Sequence, residues 1–178
     1  KTPQEKKELY AKAVCADYFF MSTNAITLDG ELVNVDGAGN RVACLCNGPD
    51  HVIILAGMNK VAVTLEEAHD RVRNTAAPIN ALRLNKKTPC SVTGRCSQCQ
   101  SPDCICSQVV VTRRSHIPGR IQVILIGEEL GYNPTTDPQN VHKGLSQHKP
   151  AAISDIGVRL FANTLYDMGG HYRRKQLA

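Results

Sequence analysis

The chain has 178 residues, a formal net charge of +5 and 42% hydrophobic residues, which is typical of a single globular domain with room for a core. It contains no apolar run near the roughly 18 residues that a membrane span needs, and no signal peptide opens it. We therefore expect a cytoplasmic protein, away from membranes, whose eight cysteines stay reduced.

The first part of the chain predicts a helix followed by short strands. A capping box at 2–5, with proline at the first helical position, begins a helix that runs to about Ala16. Cys15, near its end, is interpreted as a small core residue. The aromatic run 17–22 predicts a buried strand, and Asp29-Gly30 between two apolar triplets predicts a β-hairpin.

Polar residues and glycines beyond these strands form a candidate ligand site. Asn24 follows the strand at 17–22, and open α/β sheets bind ligands at strand carboxyl ends. Gly37 and Gly39 let the backbone approach a ligand closely, and the helix predicted from Arg41 to Cys46 would aim its N-terminus at an anion. The alternative is an ordinary tight turn. The predicted substrate-binding residues are Asn24, Gly37, Gly39, Asn40 and Arg41.

Strands and helices continue to about residue 132. Apolar strands are predicted over His51–Gly57, Gln108–Arg113 and Ile121–Gly127. A capped helix is predicted over 64–74, and Pro78 is expected to break the chain before a short helix or turn at 79–84. Glu128 and Glu129 follow the last strand, where they would serve as acid and base, or bind a basic patch, or form a solvated turn.

The composition changes after residue 132. Residues 133–148 are rich in Asn, Pro, Thr, Asp and Gln, which indicates a linker. Residues 151–168 have apolar side chains at helical spacing, which predicts an amphipathic helix that packs on the sheet or on a second subunit of a homo-oligomer. The predicted organisation is therefore an α/β domain over 1–132 and a linker with a C-terminal helix over 133–178.

A cysteine loop at 88–107 contains five of the eight cysteines. The spacing C-x5-C-x2-C-x6-C is formed by Cys90, Cys96, Cys99 and Cys106, with Cys104 as an extra thiol. The C-x2-C pair places two sulfurs on one turn, and thiolates select zinc or the iron of an iron–sulfur cluster. We interpret the loop as a metal site, with a cluster favoured over zinc. A disulfide knot and unrelated reduced thiols are the alternatives.

Basic residues surround this loop. Residues 83–120 contain seven Lys and Arg residues and one acidic residue, a net charge of +6. Nearby cations favour thiolates, and the same patch would attract a small carboxylate substrate or an acidic partner protein. The patch contains no aromatic residue on which bases could stack, which argues against a nucleic-acid partner. A solvated basic face is the alternative.

Nine short stretches together form a specific set: S-T-N-A-I-T at 22–27, D-G-E-L-V-N-V-D-G at 29–37, G-N-R-V-A at 39–43, A-G-M-N-K at 56–60, A-A-P-I-N-A at 76–81, K-T-P-C at 87–90, C-S-Q-C at 96–99, S-P-D at 101–103 and G-E-E-L-G-Y at 127–132. With them, residues 1 to about 132 resemble the lactate-utilisation (LUD) domain family, in the subgroup that carries a cysteine loop. The family's cysteines fall on Cys90, Cys96, Cys99 and Cys106, and Cys104 lies outside that pattern.

The resemblance implies an α/β fold with an open mixed sheet and flanking helices, similar to CoA transferases and sugar-phosphate isomerases. A helix-and-strand portion that family domains carry ahead of the position matching Lys1 is absent from this sequence. The resemblance also implies a link to the oxidation of lactate or a related 2-hydroxy acid, in which partner proteins carry iron–sulfur clusters.

Three functional hypotheses result. The first is a redox-associated protein that binds a [4Fe–4S] cluster through its cysteine loop and a small carboxylate or an iron–sulfur partner protein. The second is a zinc-stapled binding or regulatory domain without redox chemistry. The third is an acyl-transfer or isomerase-type enzyme that uses Glu128 or Glu129, and it is the weakest because the sequence shows no positioned partner for either glutamate.

Overall fold

The structure is a computed structural model, and it describes residues 1–131 and 157–161. The fold is α/β, as predicted. The described strands are β1 (Tyr18–Met21), β2 (Ala25–Thr27), β3 (Leu32–Asp36), β4 (His51–Gly57), β5 (Val61–Ala62), β6 (Gln108–Thr112), β7 (Ile121–Ile126) and β8 (Gly157–Phe161). The described α-helices are α1 (Pro3–Val14), α2 (Asn40–Cys46), α3 (Leu65–Arg71), α4 (Ala77–Arg83) and α5 (Pro89–Thr93).

One sheet is parallel and contains the strands in the order β1-β4-β7-β8. Its register aligns Tyr18 with His51, Val52 with Ile121, and Val123 with Val158. Because the strands are parallel, their carboxyl ends lie along a single edge. Open α/β sheets place their ligands at that edge.

The second sheet is mixed and has the order β5-β2-β3-β6. Strands β2 and β3 form the predicted hairpin, with Ala25 opposite Val33. Gly30 in its turn has φ of 86°, a conformation that glycine adopts without steric cost. Strand β6 pairs antiparallel with β3 and extends the sheet on that side. The strands of the predicted open mixed sheet are thus distributed over two sheets, one parallel and one mixed.

The main core lies between the two sheets. Val52, Ile54 and Val123 project from the parallel sheet and pack with apolar residues of the mixed sheet and with Leu45 of α2. Arg120 is buried beneath them and donates hydrogen bonds to the carbonyls of Pro49, Leu45 and Cys44 at 2.9, 2.7 and 2.9 Å. A buried arginine therefore satisfies carbonyls at the carboxyl end of α2, where helices leave acceptors without partners.

The opposite face of the parallel sheet is open in the part of the chain that the structure describes. Tyr18 and Phe20 on β1 are 57% and 65% exposed, and Leu55 on β4 is 39% exposed. The register aligns Phe20 with Ile53, and Leu55 with Ile124, so these residues form one continuous apolar surface. Parallel sheets normally bury both faces, so this surface differs from the usual pattern.

Helix α1 confirms the predicted capping box. Glu5 N donates to Thr2 Oγ1 at 3.2 Å, and Thr2 N donates to Glu5 Oε2 at 2.7 Å. The helix ends at Val14, and Cys15 after it is exposed. The interpretation of Cys15 as a core residue is therefore wrong, because α1 has no buried residues and does not carry its end into the core.

Helices α3 and α4 are joined by a π-helical turn, Val72–Ala76, rather than by a break at Pro78. Thr64 Oγ1 caps α3 by accepting from Glu67 N at 3.2 Å, as predicted. Proline normally interrupts a helix because it lacks an N–H and clashes with the preceding turn. Here Pro78 lies in the first turn of α4, directly after the wider π turn, so the chain remains helical and the predicted break is wrong.

Residues 157–161 form β8, which pairs in parallel with β7. The sequence predicts a helix over 151–168, and at these five residues that prediction is wrong. The open edge of β7 offers unpaired N–H and C=O groups, and pairing with it overrides helical periodicity. Ranges 132–156 and 162–178 lie outside the described residues, so the linker and the rest of the helix stay predictions. Within the described ranges, no helix has the length and apolar character needed to cross a membrane.

Candidate ligand pocket and cysteine loop

A cavity of ≈ 540 Å³ opens between the end of β3, helix α4 and the cysteine loop. Its walls include Asn24 after β1, Asp36 at the end of β3, Gly37 after it, Asn80 on α4 and Ile105 from the cysteine loop. The cavity is large enough for a small metabolite. The cavity is therefore bounded both by the ends of strands and by the loop that contains the clustered thiols.

Three of the five predicted substrate-binding residues line this cavity, namely Asn24, Gly37 and Arg41. Gly39 and Asn40 do not line it. Gly39 instead caps α2 with φ of 81°, and a Cβ built on it would meet the side chain of Gln108 at 3.5 Å. The structure therefore brings part of the predicted set to one cavity and assigns Gly39 to the turn geometry. The binding of a substrate by these residues stays a prediction.

Arg41 organises the cavity wall through its guanidinium group. Nη1 donates hydrogen bonds to Ser22 O at 2.9 Å and to Asn34 Oδ1 at 2.7 Å. Nη2 donates to Asn24 Oδ1 at 3.0 Å and to Val35 O at 2.8 Å. Nε forms an ion pair with Asp36 Oδ2 at 3.5 Å. Burial lowers the pKa of Arg41, and the charge of Asp36 opposes that shift. Because its donors already have protein acceptors, Arg41 acts as a support that holds the ends of β1 and β3 together.

Lys60 lies at the carboxyl end of β4, directly behind this wall. It is 7% exposed, and its Nζ donates to Oγ of Ser22 at 2.7 Å. Ser22 Oγ in turn donates to the carbonyl of Leu55 at 2.6 Å. Burial lowers the pKa of Lys60, and the positive charges of Arg71 and Arg41 lower it further. A buried lysine of this kind is typical of functional sites.

Arg71 on α3 is a second buried cation beside Lys60. It is 1% exposed, and it donates from Nε to Asn59 O at 2.9 Å and from Nη1 to Asn24 O at 2.5 Å. Its Nη2 is buried and has no hydrogen-bond partner among the described residues. Burial lowers the pKa of Arg71 to about 10.

Sequence reasoning missed Lys60 and Arg71 as site residues. Two features of the sequence point to these residues. Lys60 follows a continuous apolar strand at the end where α/β sheets bind ligands. Arg71 falls on the inner face of α3 together with Ala68, although charged residues are rarely buried without a partner.

Glu128 and Glu129 lie beyond the carboxyl end of β7, and both side chains are exposed. Neither residue lines the cavity. The backbone there packs tightly, since a Cβ built on Gly57 would lie 2.6 Å from both Glu128 O and Leu130 N. The geometry thus places this segment against β4 and leaves the two carboxylates in solvent.

The cysteine loop begins with the short helix α5, which carries Cys90, and continues through tight turns. Gln98 has φ of 52° in the left-handed region, and its N–H donates to Cys96 Sγ at 3.4 Å. This turn joins the two cysteines of the C-x2-C pair.

Hydrogen bonds also connect the two ends of the loop. Lys87 N donates to Asp103 Oδ2 at 2.9 Å, and Ser101 Oγ donates to Lys87 O at 3.2 Å. Lys86 Nζ lies 3.9 Å from Asp103 Oδ1. Cys96 N donates to Asn74 Oδ1 at 3.3 Å, which links the loop to the π-helical turn. The loop is therefore anchored at its base and against the helical layer.

Three other cysteines of the loop affect the thiol of Cys106. Burial raises the pKa of Cys106 to about 12, with further contributions from Cys104, Cys96 and Cys90 in that order. Cys106 N also donates to Cys104 Sγ at 3.4 Å. Cys99 is not among the groups that act on Cys106.

The loop cysteines fit a thiolate-bound metal in their chemistry. All five are partly buried, and all eight cysteines of the chain are free thiols, so the disulfide-knot alternative has no support. Their side chains do not converge fully, because the described residues contain no group of three or more His, Cys, Asp or Glu arranged to hold a metal ion. The donor types thus suit a metal, whereas a preformed coordination geometry is not present.

The remaining cysteines and one basic residue have structural positions. Cys44 is buried in α2, where burial raises its pKa, and Cys46 is exposed. Arg120, counted in the basic patch from sequence, is buried and bonded to backbone carbonyls. It therefore contributes no accessible donor to that patch.

Comparisons with known proteins identify the family of this chain. A model of the LUD domain matches residues 1–126 of the 178. The match runs from α1 to the end of β7 and includes the cysteine loop, Lys60, Arg71 and the cavity walls up to Ile105. No curated protein and no solved structure matches the chain significantly. The chain belongs to the LUD domain family.

Proposed function

We propose that this LUD-domain protein takes part in the oxidation of lactate or a related 2-hydroxy acid, and that it carries a [4Fe–4S] cluster bound by Cys90, Cys96, Cys99 and Cys106. Membership of the family supports an association with lactate utilisation. The donor types support a thiolate-bound centre, and the basic residues around the loop would stabilise its negative charge.

The observation that carries the proposal is the position of Ile105. This residue stands between Cys104 and Cys106, and it also forms part of the cavity wall. Its Cα lies 3.5 Å from the point where a Cβ on Gly37 would be. A redox centre in the loop would therefore lie next to a ligand in the cavity.

The chemistry of a 2-hydroxy acid suits this arrangement. Oxidation to the 2-oxo acid removes a hydride equivalent and a proton from the substrate, whereas an iron–sulfur cluster carries one electron at a time. We therefore assign the hydride to a two-electron cofactor of an iron–sulfur partner protein that docks at the basic residues around the loop, and the proton to solvent; the clusters would carry the two electrons onward one at a time. The cavity would hold the carboxylate substrate or its product.

The test is the electron paramagnetic resonance spectrum of the reduced cluster, recorded anaerobically with and without lactate. Sodium chloride at the same ionic strength is the control for salt. We expect lactate to change the spectrum, because the ligand would contact the wall formed by Ile105. If the spectrum with saturating lactate is identical to the spectrum with chloride, the proposal that the substrate binds next to the cluster is contradicted.

A further inference from the structure

Lys60 and Arg71 form a buried pair of cations at the carboxyl ends of the strands. They are 7% and 1% exposed. Within the described ranges, the ion pairs involve other residues, and no carboxylate pairs with either cation. Two neighbouring positive charges without an anion carry a large desolvation cost and repel each other. Such an arrangement is expected where an anion from outside the chain completes the site.

Unused hydrogen-bonding capacity supports the same conclusion. Arg71 Nη2 is buried without a partner in the described part of the chain, although a buried charged donor is costly to leave unsatisfied. Lys60 has three N–H donors and gives one of them to Ser22 Oγ. A carboxylate has two oxygens that would accept from a guanidinium and an ammonium together.

The pair lies directly behind the cavity wall. Asn24 lines the cavity, and its carbonyl accepts the hydrogen bond from Arg71 Nη1. Gly131 also lines the cavity, and a Cβ built on it would be 4.0 Å from Lys60 Nζ. The backbone at Gly131 therefore lies next to both the cavity and the ammonium group.

The side-chain amide of Asn59 contacts the backbone of Leu130, next to Gly131, through both its nitrogen and its oxygen. Asn59 Nδ2 donates to Leu130 O at 3.4 Å, and Leu130 N donates to Asn59 Oδ1 at 3.3 Å. Both distances exceed the usual range for N–H···O bonds. A displacement of Leu130 and Gly131 would open a path from the cavity to Lys60, at the cost of these contacts.

We propose that Lys60 and Arg71 are the receptor for the carboxylate group of the ligand, with Ser22 holding the ammonium in position. This inference deepens the proposed function and rests on it for the identity of the ligand as a small carboxylate. It does not depend on which metal the cysteine loop binds. The remainder of the ligand would occupy the cavity on the side of Asn24 and Gly37.

The test uses the full-length chain, isothermal titration calorimetry and three probes: lactate, pyruvate and inorganic phosphate. The main variant is Lys60→Met, which keeps the length of the side chain and removes its charge. Lys7→Met is the matched control, because Lys7 is exposed on α1 and remote from the strand ends. We expect the affinity for lactate or pyruvate to fall about tenfold to a hundredfold in Lys60→Met and to stay unchanged in Lys7→Met.

A second variant covers the case in which Lys60→Met does not fold, as judged by circular dichroism. Arg71→Lys retains the positive charge but removes Nη2, and we expect it to weaken binding at least about fivefold. If a folded Lys60→Met or Arg71→Lys protein binds lactate as tightly as wild type, the inference is wrong. The proposal that the ligand is a small carboxylate would still stand.

The remaining outcomes separate the inference from the function on which it rests. If phosphate binds to the wild type and not to Lys60→Met, while lactate and pyruvate bind to neither, the anion receptor stands and the proposed substrate is wrong. If none of the three anions binds to the wild-type chain, the receptor is wrong. The absence of binding is the result expected if a carboxylate of this same chain already binds Lys60 and Arg71.

Discussion

Lys60 Nζ donates a 2.7 Å hydrogen bond to Ser22 Oγ, and this bond joins the carboxyl ends of two adjacent parallel strands. Ser22 follows β1 and Lys60 follows β4 by three residues. The ammonium group is thereby fixed at the sheet edge where α/β proteins bind ligands. The contact holds the ammonium group in place, and no carboxylate in the described part of the chain pairs with it.

The buried charge of Lys60 makes stability depend on pH. Because burial and neighbouring cations lower the pKa of Lys60 below its ordinary value of 10.5, the unfolded state binds this proton more tightly than the folded state. The cost of the charge is therefore fully present at neutral pH and is relieved as the pH rises toward 10.5. We expect Lys60→Met to be more stable than wild type at pH 7, by on the order of 1 kcal/mol, in urea unfolding.

The pH series provides the control for this prediction. The difference between Lys60→Met and wild type should narrow as the pH rises from neutral toward 10.5, because the wild type loses its Lys60 proton over that range and the variant has none to lose. Lys7→Met should follow the wild-type curve throughout. A constant difference across this range would show that the gain comes from packing and not from the charge.

Arg41 is expected to be a major stabilising residue of the cavity. Arg41→Met removes donors from the carbonyls of Ser22 and Val35 and from the side chains of Asn34 and Asn24. Leaving these acceptors unsatisfied should reduce the free energy of unfolding by about 3 kcal/mol. Arg73→Met, at an exposed position of the π-helical turn, is the matched control and should change it by about 0.5 kcal/mol or less. Equal effects of the two changes would contradict the supporting role of Arg41.

Gly57 is expected to fix the position of the segment that covers Lys60. In Gly57→Ala the new Cβ would meet Glu128 O and Leu130 N at 2.6 Å, so the backbone there must move. We expect a loss of about 1–3 kcal/mol in the free energy of unfolding. Gly37→Ala is the control, because its Cβ would have ordinary contacts of 3.5 Å with Ile105. A Gly57→Ala protein as stable as wild type would show that the segment is not held against β4.

The choice between Cys99 and Cys104 as the fourth ligand can be decided by substitution. The C-x2-C spacing and the turn at Gln98 favour Cys99, whereas Cys104 accepts a hydrogen bond from the backbone of Cys106. We expect Cys99→Ser to lose the metal and Cys104→Ser to retain it, measured as metal bound per chain. Cys46→Ser, at an exposed site outside the loop, should behave as wild type. Retention by Cys99→Ser together with loss by Cys104→Ser would reverse the assignment.

The sequence predicted the elements that depend on local patterns. Asp29-Gly30 fixed the hairpin because its turn is a property of two residues, and the apolar run at 51–57 predicted β4. The candidate site was predicted only in part. Asn24 and Arg41 were identified by their place after a strand and a turn, but the contacts of Arg41 come from several segments that packing brings together.

Features that depend on the packed sheets were not predicted. Arg71 is a buried cation only because α3 packs over the mixed sheet, and nothing in its immediate sequence shows which carbonyls it meets. The strand at 157–161 was missed because its pairing is set by the free edge of β7, more than 30 residues earlier. In both cases tertiary contacts decided the outcome.

The most direct test of the account is metal analysis of the chain purified without oxygen, together with its visible spectrum. We predict brown protein with about four irons and four acid-labile sulfides per chain, and loss of both in Cys96→Ser. Colourless protein that holds about one zinc ion through the same cysteines would contradict the proposed redox role. So would protein that binds neither metal when iron and sulfide are supplied.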